Sequence, residues 1–90
     1  MFDATSQRYL HGPEWAAGYR GKAGILQYEL TPDIRATIYD SDPMWLAVYW
    51  LDGEPVAGES CITNPDEWAT RTRADGAFLN RIRGLRYHPG

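Results

Sequence analysis

Residues 25–62 carry the clearest pattern in the chain, four apolar or alternating runs separated by turn chemistry. In the first, Ile25 to Leu30, the residues Leu26, Tyr28 and Leu30 alternate with Gln27 and Glu29, the period-2 signature of a half-buried strand. Thr31-Pro32-Asp33 turns the chain into a second run, Ile34 to Asp40. Its alternation sets Ile34, Ala36 and Ile38 on one face and Arg35, Thr37 and Tyr39 on the other. Ser41-Asp42-Pro43 follows. The third run, Trp45 to Leu51, is apolar at every position, and its β-branched and aromatic content predicts a strand covered on both faces. Asp52-Gly53 closes it with a strong hairpin signal, because a type I′ turn needs positive φ at both central residues. The fourth run, Pro55 to Ile62, starts at a proline and contains Gly58, which suits an edge strand. The predicted product is a four-stranded antiparallel meander over about 25–62.

Helical signals lie on either side of it. Asn64-Pro65-Asp66-Glu67 reads as a helix start, in which Asn64 caps, Pro65 takes the first helical position and two acids complement the helix dipole. At roughly 100° per residue, Phe78, Leu79, Ile82 and Leu85 fall on one face, but a helix continuous from residue 65 would turn Arg71 and Asp75 into that face. A break or kink at Asp75-Gly76 removes the conflict. Over about 65–86 the pattern therefore predicts a helix pair or one kinked helix. Near the N-terminus, Pro13 and Glu14 start a short helical segment whose apolar side is Trp15, Ala16 and Tyr19, forming a flap on the main domain. The expected architecture is α+β in a single domain, residues 1–90.

The helix face of Phe78, Leu79, Ile82 and Leu85 is the natural lid over Leu26, Tyr28, Leu30, Ile34, Ala36 and Ile38. The third run has apolar residues to spare. Whichever parity faces the helices, either Trp45, Ala47, Tyr49 and Leu51 or Leu46, Val48 and Trp50 must face the other way. In one reading the flap covers that second face through Trp15 and Tyr19. In the other, it is an exposed aromatic surface with Tyr39 beside it, and aromatics with arginine are enriched in interface cores.

Composition narrows the class. A share of 43% hydrophobic and 23% charged residues is ordinary for a globular domain and argues against wholesale disorder. The longest apolar run, Met44 to Leu51, has eight residues, whereas a membrane-spanning helix needs about 20. The first residues have no basic start followed by a hydrophobic segment, so a cytoplasmic protein is expected. One cysteine, Cys61, and two histidines exclude an internal disulfide and a four-ligand zinc site of cysteine and histidine. The net charge of -3 conceals an asymmetry. Residues 1–67 hold eleven acids against four bases, and residues 68–90 hold five arginines against Asp75 alone.

Chemistry is sparse. Cys61 with His11 or His88 is the only thiol-imidazole combination, and a small buried cysteine on a strand is the commoner role. Asp40-Ser41-Asp42 resembles a fragment of a carboxylate metal loop but lacks the glycine and distal glutamate of a calcium loop. Phosphate loops, nucleophile elbows and dinucleotide fingerprints do not occur. No cofactor is implied, and a non-enzymatic role is expected. The arginines Arg71, Arg73, Arg81, Arg83 and Arg86 invite phosphate contacts, with Tyr87 to stack on a base, yet the sequence pI of 5.2 is not that of a dedicated nucleic-acid binder.

In size and composition the chain resembles phage and mobile-element inhibitors such as anti-CRISPR proteins, and immunity or antitoxin proteins. No motif carries the resemblance. It implies a small inhibitor that occludes a site on a larger protein or ribonucleoprotein, such as one that handles nucleic acid. Direct nucleic-acid binding through the C-terminal arginines is the alternative, and no membrane partner is expected. The residues expected at the interface are Tyr39, Trp45, Tyr49, Trp50, Asp52, Glu54, Arg81 and Arg83.

Overall fold

The computed structural model describes residues 2–3 and 8–85. The predicted arginine Arg86, the stacking candidate Tyr87 and His88 lie outside the described residues. Two short strands open the chain, β1 (Phe2–Asp3) and β2 (Arg8–Tyr9), paired antiparallel. Helix α1 (Pro13–Ala17) follows. Then come β3 (Leu26–Glu29), β4 (Ile34–Asp40), β5 (Trp45–Leu51) and β6 (Glu54–Ile62), which pair in chain order as the antiparallel meander. Helices α2 (Pro65–Arg73) and α3 (Gly76–Gly84) complete the α+β fold.

Local chemistry sets the boundaries. In the β5–β6 turn, Asp52 has φ 50° and Gly53 φ 86°, the two positive values that a type I′ turn requires. The Asn64 side chain accepts the Glu67 N–H at the start of α2, and Asp75 Oδ1 accepts the Phe78 N–H at the start of α3. The break that keeps Asp75 out of the apolar face thus also gives α3 its cap.

The sheet is covered on both faces. Toward the helices lie Ile34, Ala36, Ile38, Ala47, Tyr49, Leu51 and Ala57, against Trp68 and Ala69 of α2 and Phe78, Leu79 and Ile82 of α3. Toward α1 lie Tyr39, Leu46 and Val48, against Ala16 with Trp15 and Tyr19. The continuous apolar run of β5 is explained by this alternation between two cores. Burying one such side chain contributes about 1.5–3 kcal/mol.

The flap is fastened at the β6 edge. His11 and Gly58 exchange backbone hydrogen bonds of 2.8 and 3.0 Å, which satisfies edge groups at that point. Trp15 lies so close over Gly58 that a Cβ there would stand 1.8 Å from the ring. Gly58 is therefore required by close approach.

Two expectations from the pattern are corrected. Leu26 is not under the helical lid but 44% exposed. Helix α2 engages β3 at Tyr28, which packs on Trp68 and donates to Asp66, and at Glu29, whose carbonyl accepts from Arg73. Leu26 lies two residues beyond that reach on the outermost strand. Cys61 is not buried but exposed. The β5–β6 register shifts between Trp45↔Ile62 and Ala47↔Glu59, and Cys61 within that bulge has φ 63°. Bulges of this kind re-aim side chains.

Candidate partner-binding surface

The eight residues expected at an interface fall in separate places. Tyr49 is fully buried in the helix-side core and has no surface to offer. Tyr39 is buried against Tyr19, with its hydroxyl donating to the Lys22 carbonyl. Trp50 is half-buried on the same face, its Nε1 donating to Thr37 Oγ1 at 3.0 Å. It borders a cleft of about 270 Å³ with Tyr39, Lys22 and Arg35. Asp52 and Glu54 are exposed beside it in the hairpin, where Glu54 pairs with Arg20 at 2.7 Å. Trp45 is half-buried at the other end of β5. Arg81 is half-buried with Nη1 3.5 Å from the Arg8 carbonyl. Arg83 forks onto Asp33 at 2.8 and 3.0 Å, and its guanidinium holds the Asp33 carboxyl well below the usual carboxylate range.

A further arginine, from β2, anchors the main polar network of the molecule. Arg8 Nε and Nη2 bind the two Glu59 oxygens at 2.9 and 2.6 Å, and Nη2 also reaches Thr72 Oγ1 at 2.9 Å. Its guanidinium rests 3.7 Å from the centroid of the Phe78 ring. Glu59 Oε1 accepts in addition from the Tyr49 hydroxyl at 2.8 Å and Trp68 Nε1 at 2.9 Å. Burial alone would push the Glu59 carboxyl up, but Arg8 and the two neutral donors outweigh it and hold it below its ordinary value. Burial, and then the Glu59 charge, push the Tyr49 hydroxyl well up, so Tyr49 remains a neutral donor. A carboxylate within strand β6, at Glu59, was the sequence signal for this network.

Beside it opens a cleft of about 450 Å³, walled by the β6 bulge from Glu59 to Thr63 and by Trp68, Arg71, Thr72 and Asp75. On the far side of the bulge, His11 Nε2 and Ser60 Oγ are 2.8 Å apart, and the imidazole stacks on Trp15. No carboxylate orients this histidine among the described residues, so the pair lacks the third group that tunes a hydrolytic dyad. Among the described residues there is also no group of three or more potential metal ligands. No helix of the described chain is long and apolar enough to cross a membrane.

Of the large exposed apolar side chains, Tyr9, 55% exposed, stands on β2 beside His11, and the other three lie elsewhere. Ile25, Leu26 and Met44 are 56%, 44% and 39% exposed. Leu26 opposes Ile38 and Asp40 opposes Trp45, so these three residues share one end of the sheet with Trp45. The turn between β4 and β5 adds Asp40 and Asp42, both exposed and without an ion pair among the described residues. Sequence reasoning missed this surface because period-2 alternation assigns Leu26 to a core face without showing how far the helices extend. Comparison with known proteins adds nothing to this geometry: no family model, curated protein or solved structure matches the chain.

Proposed function

We propose that this protein is a binding module that docks on a larger protein through the apolar, acidic end of its sheet and occludes the surface it covers. The observation that carries this reading is the grouping of Ile25, Leu26 and Met44, three exposed large side chains at one end of the sheet, beside Asp40 and Asp42. Exposed apolar side chains around one end of a sheet, with free acids beside them, have the composition of a docking site. Two unpaired acids select a partner surface that is apolar with basic groups around it. Proteins that hold nucleic acid present such groups to phosphates, so occluding them would inhibit a nucleic-acid-handling machine. That accords with the inhibitors the chain resembles in size and composition. Binding alone suffices for this action.

The test is site-specific photo-crosslinking in host extract, with the photoreactive residue at position 44 or, as a control, at exposed Ala77 on α3. One protein should crosslink from position 44 and not from position 77, and Leu26→Asp should abolish the product. Crosslinking from position 77 alone, or a product indifferent to Leu26→Asp, would reject the surface. A tight, salt-sensitive shift of bare DNA or RNA in gels would instead support direct nucleic-acid binding.

A further inference from the structure

We propose that the cleft beside Arg8 binds an acidic peptide segment of the docking partner, with a carboxylate held between Arg8 and Arg71. The inference rests on the protein-docking reading and adds the class of segment recognised. The cleft, about 450 Å³, is of the size of ordinary ligand sites. At its floor the Arg8 guanidinium is fixed on one side by Glu59 and Thr72 and on one face by Phe78. Neither N–H of Nη1 has a hydrogen-bond acceptor among the described residues. The nearest carboxylate oxygen, Asp75 Oδ2, is 3.8 Å away, beyond hydrogen-bond reach. A rigid guanidinium that lines a cleft, 14% exposed and with Nη1 making no hydrogen bond among the described residues, is preorganised for an oxyanion. Arg71 lines the same cleft and, among the described residues, forms an ion pair with Glu67 at 3.8 Å.

The acids of the cleft determine which oxyanion fits. Glu59 is engaged by Arg8, Tyr49 and Trp68, whereas Asp75 uses Oδ1 to cap α3 and turns Oδ2 toward Arg8 Nη1. With Glu59 and Asp75 matching Arg8 and Arg71 in charge, the second charge of a phosphate dianion gains no net attraction there, so hydrogen-bond geometry rather than ligand charge decides the fit. A peptide also brings N–H donors, which Asp75 Oδ2 and the Thr63 hydroxyl can accept. Ile62 in the cleft wall pairs with Trp45, next to Met44, so that part of the cleft is level with the Met44 end of the sheet, on the edge opposite Leu26.

The experiment is a titration of the isotope-labelled protein, at constant ionic strength, with N-acetyl-glutamyl-glycinamide, its glutaminyl analogue and inorganic phosphate. NMR follows the Trp68 indole N–H and the amides of Cys61, Thr63 and Arg71. The glutamyl peptide should give saturable shifts and the glutaminyl peptide none. Arg71→Gln, at an exposed position, should weaken binding about tenfold, the loss expected for a charged hydrogen bond. Arg20→Gln, at another exposed arginine, should leave it unchanged. Absence of saturable shifts, equal binding of the glutaminyl peptide, or equal weakening by Arg20→Gln would overturn the proposal. Tighter binding of phosphate would overturn the carboxylate assignment. Because the titration uses the isolated protein, its failure leaves the crosslinking result at position 44 intact, and the reverse holds.

Discussion

The arginine-bearing helices and the turn between β4 and β5 both concentrate charge, but the fold engages the one and leaves the other exposed. Arg83 is forked onto Asp33, and Arg73 donates to the Glu29 carbonyl. Asp40 and Asp42 stand in solvent beside Leu26 and Met44. Arginines whose donors are met within the molecule have less to give a phosphate, whereas a free acid at an apolar edge retains its full charge for a partner. Charge counted along a chain therefore locates charge without showing whether it is free. Arg71, whose side chain makes no hydrogen bond among the described residues, is the exception on the helical side.

The contrast is broken most severely at Glu59. Glu59→Ala leaves the Arg8 guanidinium with only the more distant Asp75 as counter-charge and removes the acceptor of Tyr49 and Trp68. It should cost roughly 3–5 kcal/mol in urea unfolding. An unchanged midpoint would mean that Arg8 is not internally committed. The same pair predicts an acid limit. Because the folded Glu59 carboxyl titrates below its unfolded value of about 4.3, its stabilisation is complete at neutral pH and is lost as pH falls through the folded value. Unfolding midpoints measured from pH 7 down to pH 2 should show this decline in the parent and a weaker one in Glu59→Ala.

A second intervention loosens the segment that carries Arg8. Gly58→Ala pushes a Cβ into Trp15 and should destabilise the protein by about 1–3 kcal/mol, with a red shift of tryptophan emission as the flap lifts. Gly53→Val strains the hairpin at φ 86° and should cost about 1–2 kcal/mol by thermal unfolding. Partner affinity should survive it, because Asp52 and Glu54 lie at the opposite end of β5 from Met44. The smallest stability effect belongs to the free acids. Asp40→Asn combined with Asp42→Asn should change unfolding by no more than about 0.5 kcal/mol. It should nevertheless slow association with the partner at low salt.

Much of this was legible in the chain. Alternation and turn residues located all four strands of the main sheet, Asp52-Gly53 marked the I′ turn, and the conflict at Asp75 revealed the helix break. These features depend on neighbours in sequence. The bulge that exposes Cys61 was not visible, because an extra residue in one strand shows only against its partner's register. Nor was the Arg8–Glu59 pair, whose members are 51 residues apart, or the exposure of Leu26, which depends on where a helix 40 residues later stops covering the sheet. The candidate surface rests on long-range placement of this kind, and so the residues chosen from the sequence did not gather into one face.

Backbone hydrogen exchange on the complex with the protein crosslinked at position 44 tests the central claim most directly. Partner binding should protect residues 24–29 and 40–46 at the apolar, acidic end of the sheet, with a further footprint at 60–63 if the acidic segment occupies the cleft. Protection confined to the exposed faces of α2 and α3, with exchange at 24–29 and 40–46 unchanged, would contradict it.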